Sequence, residues 1–86
     1  KRTGAYKKAL VLYQNLLIER PDCSVTICYN IAAMYSLLGK RDQALEWLRE
    51  SIAHGFSRFK VLQEDQDFQN LRDNEEYKRL LPSRFR

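Results

Sequence analysis

The sequence predicts an all-α chain, on three observations. Apolar residues recur at spacings of three and four through three long segments, and no segment shows the period-two alternation of a strand. Gly39, Gly55, Pro21 and Pro82 fall between these segments rather than within them. At 86 residues the chain is long enough for one small core. Its 44% hydrophobic and 30% charged residues are ordinary for a globular protein. No apolar run, Ala9 to Tyr13 included, approaches the roughly 18 residues of a membrane-spanning helix, and no secretion signal is visible. The chain begins at Lys1 rather than Met, so it is expected to be a piece of a longer protein.

The first helix is expected over Ala5–Arg20, with Tyr6, Ala9, Leu10, Tyr13, Leu16 and Leu17 inward and Lys7, Lys8, Gln14 and Asn15 outward. Pro21 ends it, because a residue before proline is pushed out of the α region. Ser24 is the expected N-cap of a second helix carrying Cys28, Ile31, Ala32, Tyr35 and Leu38 on its inner face, and Gly39 stops it. A third helix runs from about Asp42, as N-cap, to His54, with Ala44, Leu45, Leu48 and Ile52 inward, and Gly55 ends it. Beyond that, Phe59, Val61 and Leu62 mark one short helix and Phe68 with Leu71 another. Tyr77, Leu80 and Leu81 mark a third, closed by Pro82. Asp67 is the expected cap of the second short helix, and Asp73 or Asn74 of the third.

An internal repeat is suggested by four pairs separated by 35 residues: Gly4 and Gly39, Ala9 and Ala44, Tyr13 and Leu48, Leu17 and Ile52. The period is close to the ~34 of helix-pair solenoids, in which each pair must stack on a neighbour to bury its apolar face.

Over Val25–Phe56 the chain resembles the tetratricopeptide repeat family, through Cys28-Tyr29-Asn30-Ile31-Ala32, Tyr35, Gly39, Ala44, Leu48 and Ile52. Residues Gly4–Pro21 resemble that family's inter-helix turn, second helix and terminal proline. Cys28, Ser51 and Gly55-Phe56 depart from the family pattern. The tail resembles a variant ending of such arrays, through Gly55-Phe56, Asp65-Gln66-Asp67-Phe68, Leu71-Arg72 and Tyr77-Lys78-Arg79-Leu80. The resemblance implies the C-terminal end of a solenoid. Residues 1–22 would be the second helix of a truncated repeat, 23–57 a complete helix pair, 58–82 short capping helices and 83–86 a tail.

The resemblance also implies non-catalytic protein–protein interaction, with a peptide or partner helix held on a concave face. That face would present Thr26, Tyr29, Asn30, Ala33, Ser36 and Leu37, and the competing possibility is that the tail folds back and covers it as core. A clamp for C-terminal carboxylates has no support, since only Asn30 occupies one of its slots. The first helix, Ala5–Arg20, lacking its partner helix, is expected to self-associate through its stripe of Tyr6, Leu10, Tyr13 and Leu17.

Net charge is +4, with the excess at the two ends and an acidic stretch over residues 64–76. Basic ends that bind nucleic acid or an acidic surface are therefore an alternative, with Arg58-Phe59 and Arg84-Phe85 as stacking pairs. A third reading is an accessory end of a larger enzyme whose chemistry lies elsewhere on the chain. No metal, cofactor or catalytic residue is expected within these residues. His54, the one histidine, reads as helix-terminal, Asp65 and Asp67 as caps, and the three glycines are isolated rather than grouped in a phosphate cradle. Cys23 and Cys28 are spaced poorly for a bridge and read as an incidental and a buried free thiol, which fits a reducing, cytoplasmic compartment.

Overall fold

A computed structural model describes residues 2–86 except for the side chain of Cys23. The readings of Lys1 as part of a basic end and of the Cys23 thiol as incidental therefore lie outside the described residues. Every regular element among the described residues is helical. Helix α1 spans Arg2–Glu19, α2 Ser24–Leu37, α3 Arg41–Ala53, α4 Phe59–Glu64 and α5 Glu75–Leu80. Three 3₁₀ segments, Pro21–Cys23, Gln66–Leu71 and Ser83–Phe85, join or follow them. No described helix is long and apolar enough to cross a membrane.

Helix α2 is the hub, touching α1 on one side, α3 on another and the segment Gln66–Leu71 on a third. Ala32 and Ala44 are both wholly enclosed, as the small residues of a close helix approach must be, and Ile31, Leu45 and Leu48 fill the space around them. The tail contributes Phe59, Leu62, Phe68, Leu71, Tyr77 and Leu81 to the same core. A smaller cluster of Leu10, Ile27 and Ile31, with Tyr13 and Leu17 against it, holds α1 to α2. The buried Ser51 hydroxyl is satisfied by donating to the Val25 carbonyl at 2.7 Å, which ties α3 to the start of α2.

Both long helices that end at glycine do so in the same way. At the end of α2, Gly39 donates to Ser36 O and Lys40 to Tyr35 O; at the end of α3, Gly55 donates to Ile52 O and Phe56 to Ser51 O. These paired bonds are Schellman closures, and Gly39 (φ 77°) and Gly55 (φ 115°) supply the left-handed residue each requires. The Gly55 closure delivers Phe56 back toward α2.

Several expectations about boundaries are corrected. Gly4 lies inside α1 rather than in a turn, so its pairing with Gly39 is a coincidence of residue type and the repeat fails at its first pair. Leu16, expected inward, is 42% exposed, because α1 leans on α2 through Leu10, Tyr13 and Leu17 instead. Gln14, expected outward, is half-buried. Ser24 does not cap α2 as an acceptor; its hydroxyl donates back to the Pro21 carbonyl, closing the preceding 3₁₀ turn. Helix α3 starts at Arg41, which places Asp42 in its first turn rather than at its cap. Asp65, not Asp67, caps Gln66–Leu71, its Oδ1 accepting from the Asp67 amide at 2.9 Å. Asn74 caps α5, its Oδ1 accepting from the Tyr77 amide at 3.1 Å.

The two glycine environments give a paired prediction. Gly39→Ala forces a β-carbon into a left-handed conformation and should cost about 1 kcal/mol. Gly4→Ala, in a helix with open space around the added carbon, should raise stability by up to about 0.5 kcal/mol. Urea denaturation of the two variants checks the signs, and equal effects would contradict the assignment of Gly4 to a helix.

Candidate functional site

The six residues expected on a concave binding face are divided by the fold. Ala33 and Ser36 are buried, and Asn70 Nδ2 reaches over to donate to the Ser36 carbonyl at 2.9 Å. Leu37 is half-buried at the last residue of α2. Tyr29 is held by the tail: its ring lies 4.9 Å from that of Phe56, nearly parallel, and 5.1 Å from that of Phe68. Thr26 remains exposed and Asn30 half-exposed, bordering a cleft of about 470 Å³ between α1 and α2 with Tyr13 and Leu16. The tail thus packs on Tyr29 and reaches the Ser36 carbonyl, while Thr26 and Asn30 stay open.

The centre of that contact is polar. Tyr29 Oη donates to Asp65 Oδ2 at 2.6 Å, across 36 residues of sequence, while Asp65 Oδ1 caps the following 3₁₀ segment. Arg72 Nη2 donates to the Asp65 carbonyl at 2.9 Å. Burial first, and the bond to Asp65 second, push the Tyr29 hydroxyl well above the ordinary phenol range. Burial also raises Tyr77, opposed by the nearby Arg72 guanidinium and reinforced by Asp65. Asp67 is raised by burial and then by the charge of Asp65. Two buried donors at this knot, Arg72 Nε and Tyr77 Oη, have no hydrogen-bond partner. Sequence reasoning missed the grouping of Tyr29, Asp65, Arg72 and Tyr77, because a contact across 36 residues has no local signature.

A second cleft, about 450 Å³, brings Ser24, Cys28, Glu50 and His54 to one surface. These are residue types that can act as nucleophile and base, so their state matters. Cys28 is 2% exposed, and burial, followed by the charge of Glu50, pushes its thiol above the ordinary value. An activated thiol needs the opposite shift. His54 sits just past α3 with its Nε2 3.8 Å from Glu50 Oε1, an exposed pair on adjacent turns. No three His, Cys, Asp or Glu side chains among the described residues group as a metal site. The basic–aromatic pair Arg84-Phe85 is engaged internally, the Arg84 guanidinium lying 4.9 Å from the Phe85 ring.

Tyr29→Phe keeps the rings and strands the Asp65 oxygen, and should cost about 1–2 kcal/mol in denaturant unfolding; Tyr29→Ala should cost about 3 kcal/mol or more. For Asp67, a carboxyl raised on folding is penalised once ionised. The penalty is absent below its unfolded pKa and fully present above the folded one, so Asp67→Asn should gain stability relative to the wild type as pH rises out of the acid range. Thermal midpoints of both proteins at acid and neutral pH test this, and a constant difference would contradict it.

Residues 23–83, well over half the chain, match the family described as A/B hydrolase-like, N-terminal domain. No curated protein and no solved structure matches the chain. The match overturns the tetratricopeptide resemblance. Small residues at a helix crossing and glycine at a helix end are requirements of helix-pair packing in general, and so did not identify that family. The matched region holds α2 through α5 and the whole Tyr29–Asp65 contact, while α1 lies outside it. The chain belongs to the A/B hydrolase-like N-terminal domain family.

Proposed function

We propose that this chain is a non-catalytic helical accessory domain of a larger A/B hydrolase-like protein, contributing by docking while the chemistry resides elsewhere on the polypeptide. The family match over residues 23–83 carries the reading. The Cys28–His54 cleft supports it from the side of chemistry, since its thiol is buried and shifted away from the thiolate form. With this chain alone, 4-nitrophenyl ester hydrolysis should match the buffer rate. Turnover that disappears in Cys28→Ser or His54→Ala would overturn the reading.

A second reading attaches to α1. The stripe of Leu10, Tyr13 and Leu17 is packed on α2 and so is not the face left to associate. Val11 (57% exposed), Leu12 (68%), Leu16 (42%, beside the α1–α2 cleft) and Ile18 (79%) present large apolar side chains to solvent instead. Isolated exposed apolar residues are ordinary, but four on a single helix form a surface that gains by being covered. The isolated chain should therefore self-associate through α1 at high micromolar concentration, and Leu12→Glu with Ile18→Glu should return it to monomer. Light scattering that shows only monomer for the unaltered chain would exclude this contact.

A further inference from the structure

A partly open cavity of about 350 Å³ lies at the end of the chain, beside the Tyr29–Asp65 contact and sharing Arg72 and Tyr77 with it. Arg72, Lys78 and Arg86 line it, with Tyr77, Leu81 and Phe85 as its apolar walls, and no acidic side chain is among its lining residues. The disposition of the cations matters more than their number. Arg72 is fixed by donating through Nη2 to the Asp65 carbonyl, and Arg86 by donating through Nε to the Leu81 carbonyl at 2.8 Å and through Nη2 to the Arg79 carbonyl at 2.9 Å. Carbonyl acceptors orient a guanidinium without cancelling its charge. The third cation, Lys78, has its Nζ 3.5 Å from Glu75 Oε2, an exposed surface pair. Gln63 Nε2 donates to the Phe85 carbonyl at 2.6 Å and so holds the wall in place.

The result is a preorganised positive cavity with aromatic and aliphatic sides. Two donors without partners, Arg72 Nε and Tyr77 Oη, belong to residues that line it. Tyr77 itself is 3% exposed. Guanidinium groups fixed beside apolar surface favour carboxylate and phosphate oxygens, which they bind through charge-assisted bonds. The volume exceeds that of a bare oxyanion, and the walls provide stacking and apolar contact for whatever carries it. We infer that this cavity is a binding site for a small organic anion, a carboxylate or phosphate monoester carried on an aromatic or apolar body.

Amide and Arg side-chain NMR shifts of the labelled chain test this, with phenyl phosphate, benzoate and the neutral benzyl alcohol titrated separately. Phenyl phosphate, benzoate or both should shift Tyr77, Lys78, Leu81 and the Arg72 Nε–H, and the tighter of the two identifies the head group. Lys78→Gln, at an exposed position, should weaken that anion about threefold. Arg72→Lys, which keeps the charge and removes the planar fork, should weaken it about tenfold while the rest of the spectrum stays folded. Equal shifts with benzyl alcohol, shifts confined to α1, or an affinity unchanged in Lys78→Gln and Arg86→Gln would each overturn the assignment.

Discussion

The contact between Tyr29 and the tail is the constraint on which the rest of the molecule depends. Tyr29 sits on α2 off the inner stripe formed by Ile31 and Ala32, where a residue of an isolated helix pair would face solvent. Instead its ring lies against Phe56 and Phe68 and its hydroxyl ends on Asp65. Asp65 serves three functions at once: one carboxylate oxygen accepts from Tyr29, the other caps Gln66–Leu71, and its carbonyl accepts from Arg72. Stacked and tilted aromatic pairs add about 0.5–1.5 kcal/mol each beyond the area they bury. A buried bond to a carboxylate is of similar or greater size. Without this contact, α4, Gln66–Leu71 and α5 would be short helices with little stability of their own.

Closing the tail onto α2 redistributes what the surface can do. Ala33 and Ser36 leave the surface altogether and Tyr29 becomes half-buried. Among the surfaces that remain open are the outer side of α1, the cleft beside Thr26 and Asn30, the cleft at Glu50 and His54, and the cationic cavity at the C-terminal end. An exposed ion pair between Arg49 and Glu76 links α5 to α3 at the surface. The Schellman closure at Gly55 is what makes the geometry possible, because it turns the chain sharply enough to bring Phe56 beside Tyr29 three residues past the helix end.

Much of the helical framework was legible from residue spacing. The Ile31, Ala32, Ala44 and Leu48 pattern has the 3.6 period of buried helix faces, and Gly39 and Gly55 sit where left-handed closures occur. The caps were harder. Asp65 and Asp67 are the same residue type two positions apart, and either could start the 3₁₀ segment locally. The Tyr29 hydroxyl selects Asp65 from a distance, and local sequence holds no trace of that. The face of α1 was misjudged at Leu16 because periodicity defines a stripe but not which edge of it meets the neighbour. The tetratricopeptide resemblance failed for a related reason: its matching positions are those any close-packed helix pair requires, and Gly4 matched Gly39 in identity while occupying a helix rather than a turn. The four-residue knot of Tyr29, Asp65, Arg72 and Tyr77 was invisible because it is built entirely from tertiary contacts.

Amide hydrogen exchange tests the central claim most directly. If the tail is locked to α2 through Tyr29, the amides of Leu62, Phe68, Tyr77 and Leu81 should be protected to nearly the same free energy as those of Ile31 and Leu48. The two groups should exchange as one cooperative unit. Tail amides that exchange at rates close to those of an unfolded chain, while α2 and α3 remain protected, would show that the tail is not held there and would contradict the account.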